Sequence, residues 1–177
     1  MGDAMSPPPV GQSHDRRPDS EPPVNASVRV LLRQEQDYRF VVDWGEGRAA
    51  FVADEEPPLG GGDGPSPLQL LLSAVASCLS SSLVFALRKH HEDGGTIRTE
   101  AIGRTGRNAR GRLRVEAIEV RLGLGVPATE VRSLGRIVQE FEDFCTVGQS
   151  VARGVPLTVH LEDGNGAEIP GLVAPPD

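Results

Sequence analysis

One unbroken apolar run limits the folds open to this chain more than any other feature does. Residues 68–91 contain no proline or glycine, and Ser66 followed by Pro67 is a pair that typically caps and opens a helix. The first half of the run, at 70–79, is apolar on nearly every face of such a helix. Because a helix of that kind is buried on all sides, the sequence predicts a long helix in a core or in a subunit interface.

Short strands and two smaller helices are predicted around this helix. Alternating apolar residues at 28–54 predict a meander of about three strands, and two longer strands are expected at 96–104 and 113–124. Thr129 is expected to cap a second helix. A short helix is expected at 145–153, before a last alternating strand. The predicted order is βββαββααβ, and the predicted class is α+β.

The ends of the chain predict one domain with loose termini. Residues 1–25 are rich in proline and poor in apolar side chains, so we expect a disordered arm, one domain at 26–163 and a flexible tail at 164–177. We find no secretory signal, and we expect no stretch long and apolar enough to span a bilayer. The sequence therefore predicts a cytoplasmic protein that does not bind membranes.

The net charge of −7 argues against a general affinity for nucleic acid. Six arginines nonetheless fall within residues 98–114. We interpret this stretch as a solvated hairpin face, because no aromatic residues lie among the arginines to stack on bases. Binding of RNA by this stretch is the alternative interpretation.

Several other motifs predict no site. The glycine-rich turn at 60–64 lacks the Lys-Ser/Thr pair that completes a phosphate-binding loop. His90 and His91 are adjacent on a predicted helix, so their imidazoles point about 100° apart and do not converge on one metal ion. We therefore expect neither a metal nor another cofactor.

Cys78 and Cys145 are the 2 cysteines of the chain. In a reducing compartment, two cysteines indicate either small buried hydrophobic residues or redox function. Cys78 lies about three turns into the apolar helix, where a thiol is normally inert. Cys145 follows an acidic run at 140–143, which raises its pKa, and starts a helix whose free N–H groups lower it. The residues alone leave both interpretations open.

Two blocks of sequence carry a resemblance to a known family. The first is residues 67–78 (PLQLLLSAVASC), and the second is residues 144–147 (FCTV) followed by a closing strand at 155–159 (VPLTV). Together they resemble the OsmC/Ohr family over about residues 28–162. The resemblance implies an intertwined homodimer in which antiparallel sheets surround a long buried central helix, with two sites at the subunit interface.

The resemblance also implies the chemistry of a thiol peroxidase in oxidative stress defence. Cys78 is expected to attack an organic hydroperoxide and become a sulfenic acid, and Cys145 is expected to condense with it to a disulfide. An external dithiol, of the lipoyl type in the better-known branch, then reduces the pair. The family places an arginine beside the first cysteine. Counted back from the glycine turn, that arginine falls at Arg39, with Arg33 and Arg48 as alternatives.

The sequence departs from the peroxidase branch beside this arginine. Leu68 stands where that branch has a glutamate that orients the arginine, so Gln69 is left to hold Arg39 by a hydrogen bond. Thr146 stands where the family commonly has proline. The first departure motivates the alternative hypothesis of a non-enzymatic dimer that binds a small apolar ligand or senses oxidants through Cys78.

Overall fold

A computed structural model describes residues 27–45 and 47–171. The arm predicted at 1–25 and the last residues of the predicted tail, 172–177, lie outside these described residues. Within them the elements follow the predicted order of three strands, a long helix, two strands, two short helices and a final strand. The chain is therefore an α+β protein with a long central helix and two small sheets.

The first sheet is an antiparallel meander of three strands. It consists of β1 (Leu31–Gln36), β2 (Arg39–Asp43) and β3 (Phe51–Ala53), in that order across the sheet. Val42 is buried at the centre of the sheet, where it pairs with Leu32 on one side and with Phe51 on the other. All of β1 is exposed, so none of the residues that the structure describes covers this edge of the sheet.

The long helix α1 (Pro67–Lys89) begins where the sequence predicts. The Ser66 hydroxyl accepts a hydrogen bond from the backbone N–H of Gln69, and the Gln69 side chain accepts one from the backbone N–H of Ser66. This capping box satisfies two N–H groups that the helix itself leaves free. Arg88 and Lys89 lie in the last turn, where positive charge is favourable.

The second sheet contains β4 (Arg98–Arg107), β5 (Leu113–Gly123) and β6 (Leu157–Glu162). Strands β4 and β5 form the antiparallel hairpin that we expected, but β6 lies parallel to β5. The expectation of purely antiparallel sheets is therefore wrong at this pair. The physical reason is the connection at 124–156, which contains helices and returns the chain in the same direction, as parallel pairing requires.

Two short helices lie in this connection, α2 (Leu134–Glu140) and α3 (Thr146–Val151). Thr129 does not cap a helix as predicted, because it lies in a single 3₁₀ turn at 128–130. Helix α2 begins after Ser133, whose backbone N–H donates to the Glu92 carboxylate at 2.8 Å. The start of α2 is thus held by a residue from a distant part of the chain.

Helix α1 packs one face into the core, against β4, α2, α3 and the 3₁₀ segment between the two short helices. Its buried residues share that face: Val75, Leu79, Ser82, Leu83, Ala86 and Leu87. Residues on the opposite side, including Ser77, Ser81 and Phe85, are exposed. The prediction of a helix buried on all sides is therefore not met within one chain.

Helix α1 is also long and apolar enough to cross a membrane by length and composition. We expected no such stretch, and by this criterion that expectation is wrong. The hydroxyls of Ser73, Ser80 and Ser82 donate to carbonyls one turn back, which lets an apolar helix carry them at low cost. Length and composition do not distinguish a core helix from a membrane span, and one face of α1 packs in the core.

The core extends past the boundary predicted at residue 163. The buried Asp163 carboxylate accepts hydrogen bonds from the backbone N–H groups of Ala128, Asn165 and Ala167, which turns the chain back on itself. Ile169 then packs in the core at 8% exposure and donates its N–H to the Leu161 carbonyl at 2.7 Å. The tail was therefore predicted to begin too early.

The buried face of α1 predicts where the fold is sensitive to truncation. Leu83 is fully buried, so Leu83→Ala is expected to lower the free energy of unfolding by about 2–5 kcal/mol through lost contacts and a residual cavity. Leu113, which is 59% exposed at the start of β5, is the matched control. Leu113→Ala is expected to change the free energy of unfolding by about 0.5 kcal/mol or less. Urea unfolding followed by circular dichroism measures both. Equal losses in the two variants would contradict the described packing.

Candidate functional site

The fold brings the two cysteines together. Cys78 lies in the middle of α1, at the border between its buried and exposed faces, and Cys145 is the residue that precedes α3. The backbone N–H of Val147 donates to the Cys78 sulfur at 3.5 Å, and the next N–H, of Gly148, donates to the Cys145 sulfur at 3.2 Å. Consecutive N–H groups of one helical turn therefore donate to both sulfurs. Both cysteines are free thiols and are not joined in a disulfide.

The two thiols differ in their surroundings. Cys145 is 1% exposed, whereas Cys78 is only partly buried. Burial raises the pKa of the Cys145 thiol to about 12, and the adjacent Cys78 thiol acts in the same direction, while the N–H of Gly148 opposes them. Burial, rather than the preceding acidic run, is thus the largest influence on Cys145. It stays a neutral thiol at neutral pH.

Ser82 is a neighbour of this pair that we did not identify from the sequence. It is the polar residue among the buried residues of α1, one turn after Cys78, and its hydroxyl donates to the Cys78 carbonyl at 2.9 Å. The hydroxyl also lies beside the Cys145 sulfur, where it lowers the pKa of that thiol. A serine in the middle of an otherwise apolar helical face is the pattern that could have found it.

Arg39 does not contact Cys78 within the described residues. It lies on β2 in the first sheet, where its guanidinium pairs with Glu35 at 3.0 Å and with Asp63. The hydrogen bond to Glu35, with the charge and hydrogen bond of Asp63, raises the pKa of Arg39. The role of Arg39 in thiolate stabilisation therefore stays a prediction.

The two alternative arginines are also engaged elsewhere in the described part of the chain. Arg33 pairs with Glu35 at 3.6 Å, and Arg48 donates to the Trp44 carbonyl at 3.1 Å. Neither forms a hydrogen bond with Cys78 in residues 27–45 and 47–171.

Asp63 is a second residue that we did not identify from the sequence. It lies in the glycine-rich turn, which the buried Asp54 carboxylate organises by accepting hydrogen bonds from the N–H groups of Glu55, Gly61 and Asp63. Burial alone would raise the pKa of Asp54, but these three donors together hold it below its ordinary value. The turn is therefore a fixed structure that presents the Asp63 carboxylate to Arg39.

Gln69 has a different role from the one we expected. Its side-chain oxygen accepts from the Ser66 N–H at 2.7 Å as part of the helix cap. No hydrogen bond joins Gln69 to Arg39 among the residues that the structure describes. Glu35 and Asp63 supply the acidic partners of the arginine instead.

An exposed aromatic pair lies beside the cysteines. Phe85 follows Cys78 by two helical turns, and Phe144 directly precedes Cys145. Their ring centroids are 4.8 Å apart in an edge-to-face arrangement, and the Lys89 ammonium lies 5.0 Å from the Phe144 centroid. The site thus combines thiols, aromatic surface and one cation.

The arginines at 98–114 lie on the hairpin of β4 and β5. All six are exposed, as the interpretation of a solvated face requires, and they are Arg98, Arg104, Arg107, Arg110, Arg112 and Arg114. Asn108 organises the turn, since its side-chain oxygen accepts from the N–H groups of Arg110 and Arg112. Binding of RNA by this hairpin stays an untested alternative.

Comparisons with known proteins agree with this architecture. A sequence model of the OsmC-like protein family matches residues 60–160, which include both cysteines and the whole of α1. No curated protein sequence matches the chain.

The similar solved structures share the fold at low sequence identity. An OsmC-like protein of unknown function from Vibrio cholerae is 15% identical with a TM-score of 0.64, and 77% of this chain covers 99% of it. An OsmC-like protein from Mycoplasma pneumoniae is 14% identical with a TM-score of 0.65, over 79% and 99% of the two chains. The organic hydroperoxide resistance protein OhrB of Bacillus subtilis is 18% identical with a TM-score of 0.57, again over 79% and 99%. The chain therefore belongs to the OsmC-like protein family.

Proposed function

We propose that this protein is a thiol-dependent peroxidase that reduces organic hydroperoxides through Cys78 and Cys145. The observation that carries the proposal is that consecutive N–H groups of α3 donate hydrogen bonds to the two sulfurs. A similar protein of Bacillus subtilis is named for organic hydroperoxide resistance, which supports the same activity here.

The proposed reaction balances with one peroxide and one dithiol. The Cys78 thiolate attacks the terminal peroxide oxygen, the O–O bond breaks, and the alkoxide leaves and takes up a proton to become an alcohol. The resulting sulfenic acid condenses with the Cys145 thiol to form a disulfide and water. An external dithiol, for which we propose the lipoyl type, then reduces the disulfide by thiol exchange and is itself oxidised.

The difference between the two thiols supports Cys78 as the attacking residue. Cys145 is buried and its pKa is about 12, so it carries a proton when the peroxide arrives. Cys78 is partly exposed, and as a thiolate it retains the hydrogen bond from the Val147 N–H. The exposed rings of Phe85 and Phe144 offer an apolar surface for the organic group of the peroxide.

We also propose that the protein is a cytoplasmic homodimer. The exposed side of α1 and the uncovered strand β1, with Leu31 and Leu32 about half exposed, are apolar surfaces that a second copy can cover. Among the residues that the structure describes, Arg39 forms no hydrogen bond with Cys78 of its own chain, so we propose that it approaches the sulfur of the partner subunit's Cys78.

A second candidate function is a non-enzymatic dimer that senses oxidants or binds a small apolar ligand. The pairing of Arg39 with Glu35 and Asp63, instead of with a thiol, favours it. Such a protein is oxidised once at Cys78 but does not turn over peroxide with a dithiol.

The peroxidase proposal predicts a defined product and a defined requirement for each cysteine. One equivalent of cumene hydroperoxide is expected to lower the mass by about 2 Da through a bridge between Cys78 and Cys145. Steady turnover with dihydrolipoamide is expected to fall by at least about 100-fold in Cys78→Ser, because the attacking group is lost. Cys145→Ser is expected to keep the first turnover and to accumulate a sulfenic acid.

Mass spectrometry and a coupled peroxide assay measure these outcomes. Free thiols in the presence of persisting peroxide would exclude peroxidase activity. A single oxidation without turnover would favour the sensor.

The burial and the raised pKa of Cys145 predict an order of alkylation. At pH 7 iodoacetamide is expected to label Cys78 before Cys145, because Cys145 is 1% exposed and its raised pKa of about 12 keeps it as the unreactive thiol. Labelling of Cys145 in the folded protein is expected to increase as pH rises towards that value. Timed labelling followed by peptide mass spectrometry measures the order. The urea-unfolded chain is the control, in which both react alike, and faster labelling of Cys145 in the folded protein would contradict the assignment.

The proposed contact across the dimer predicts complementation. Arg39→Ala and Cys78→Ser homodimers are each expected to be inactive, with turnover lowered by about 10-fold or more in the arginine variant. In a heterodimer of the two chains, one site then has Cys78 and the partner subunit's Arg39, so activity is expected to return to about half of the wild-type value per dimer.

Differently tagged chains allow purification of that heterodimer for the peroxide assay. Arg33→Ala is the control for a general change of charge on the first sheet. A heterodimer as inactive as its parents would show that Arg39 does not act across the interface.

A further inference from the structure

Gly148 lies in an unusually close position beside the resolving thiol. A Cβ atom built at this residue lies 2.8 Å from the Cys145 sulfur and 3.5 Å from a methyl carbon of Leu157. Contacts of carbon and sulfur below 3.0 Å are essentially never observed, so one group must move if residue 148 has a side chain. The space beside the sulfur is therefore available only to glycine.

Backbone conformation does not explain the glycine. Gly148 lies within α3, and its φ is not in the left-handed region that favours glycine. In a helix of 6 residues, glycine is a poor choice, because alanine is the better helix former. The contact with the Cys145 sulfur is the observation that accounts for glycine at this position.

The surroundings of Gly148 leave the sulfur little freedom to move. Cys145 is 1% exposed and Leu157 is 7% exposed, so both side chains are confined by their neighbours. The sulfur accepts a hydrogen bond from the Gly148 N–H at 3.2 Å, and the Cys78 thiol and the Ser82 hydroxyl are also its neighbours. Because side chains occupy discrete rotamers, a displaced sulfur goes to a different rotamer or forces α3 to shift. Either change moves the Cys145 sulfur away from the Gly148 N–H that donates to it.

We propose that Gly148 is a positioning residue, which keeps the Cys145 sulfur where it closes the disulfide with Cys78. The inference rests on the proposed function for the reaction in which that disulfide forms. In that reaction Cys145 loses its proton, the sulfenic hydroxyl of Cys78 leaves as water, and a bond forms between the two sulfurs. Disulfide geometry is narrow, so misplacement of one sulfur slows this step and leaves the earlier attack on peroxide unaffected.

Gly148→Ala tests the proposal, with Gly135→Ala as a matched control. Gly135 also lies in a short helix, but a Cβ there meets nothing within 4 Å. After one equivalent of cumene hydroperoxide, Gly148→Ala is expected to form the Cys78 sulfenic acid within about twofold of the wild-type rate. It is expected to close the disulfide at least about tenfold more slowly. Excess peroxide is then expected to convert Cys78 to the sulfinic acid.

Rapid quenching and mass spectrometry separate these two steps. Gly135→Ala is expected to match the wild type in both. Closure by Gly148→Ala at the wild-type rate would overturn the proposal.

A second measurement does not depend on peroxide. Oxidised glutathione converts the reduced cysteine pair to the disulfide and yields two reduced glutathione molecules. Titration with different ratios of reduced to oxidised glutathione therefore gives an equilibrium constant for closure of the disulfide between Cys78 and Cys145. This constant is expected to fall at least about tenfold in Gly148→Ala. The equilibrium constant can fall in Gly148→Ala while neither the wild type nor the variant reacts with peroxide. In that case the proposed function fails and the positioning role stands. An unchanged constant overturns the positioning role.

A double-mutant cycle, measured by thermal unfolding, keeps the proposal testable if Gly148→Ala folds poorly. The substitution is expected to lower the Tm when Cys145 is present. In the Cys145→Ala background it is expected to leave the Tm unchanged or raise it, since the sulfur is gone and alanine is the better helix former. The same change in Tm in both backgrounds would overturn the contact as the reason for glycine.

Discussion

The packing of one face of α1 is the interaction on which the rest of the structure depends. Val75, Leu79 and Leu83 are fully or almost fully buried, and they join the helix to the second sheet and to the short helices. This contact places the middle of α1 against the start of α3, and so brings Cys78 beside Cys145. The same contact leaves the other side of an apolar helix uncovered. One feature thus builds the site and creates the surface that motivates the proposed dimer.

The start of α3 turns this proximity into a chemical difference. Two consecutive N–H groups donate to two sulfurs, and burial raises the pKa of the Cys145 thiol. A buried neutral thiol is suited to the proposed resolving role, because it does not compete with Cys78 for peroxide. In the proposed reaction, the hydroxyl that leaves the Cys78 sulfenic acid takes up the proton of Cys145. The high pKa of Cys145 is therefore compatible with the proposed closure of the disulfide. It also keeps Cys145 from reacting with peroxide in the step before.

Local patterns in the sequence predicted elements well, whereas contacts between distant residues were not predictable. The start of α1 was predicted because Ser66 and Pro67, which cap and open the helix, are adjacent in sequence. Thr129 has the same local character as a cap, yet α2 starts after Ser133, where the Glu92 carboxylate from the loop after α1 accepts the Ser133 N–H. Ser82 was missed for the same reason, because only folding shows that it lies beside Cys145. The two cysteines were linked through family resemblance, not through their spacing.

The acidic partners of Arg39 show how this chain differs at a position where the peroxidase branch has one glutamate. Glu35 and Asp63 both pair with the guanidinium, so the three charged groups together carry a net negative charge. Such a group does not attract a thiolate at long range. It stabilises one only through a direct hydrogen bond from the guanidinium, for which the two carboxylates fix the orientation of Arg39. Contact with the sulfur, rather than the presence of positive charge, is therefore what the proposed role of Arg39 requires.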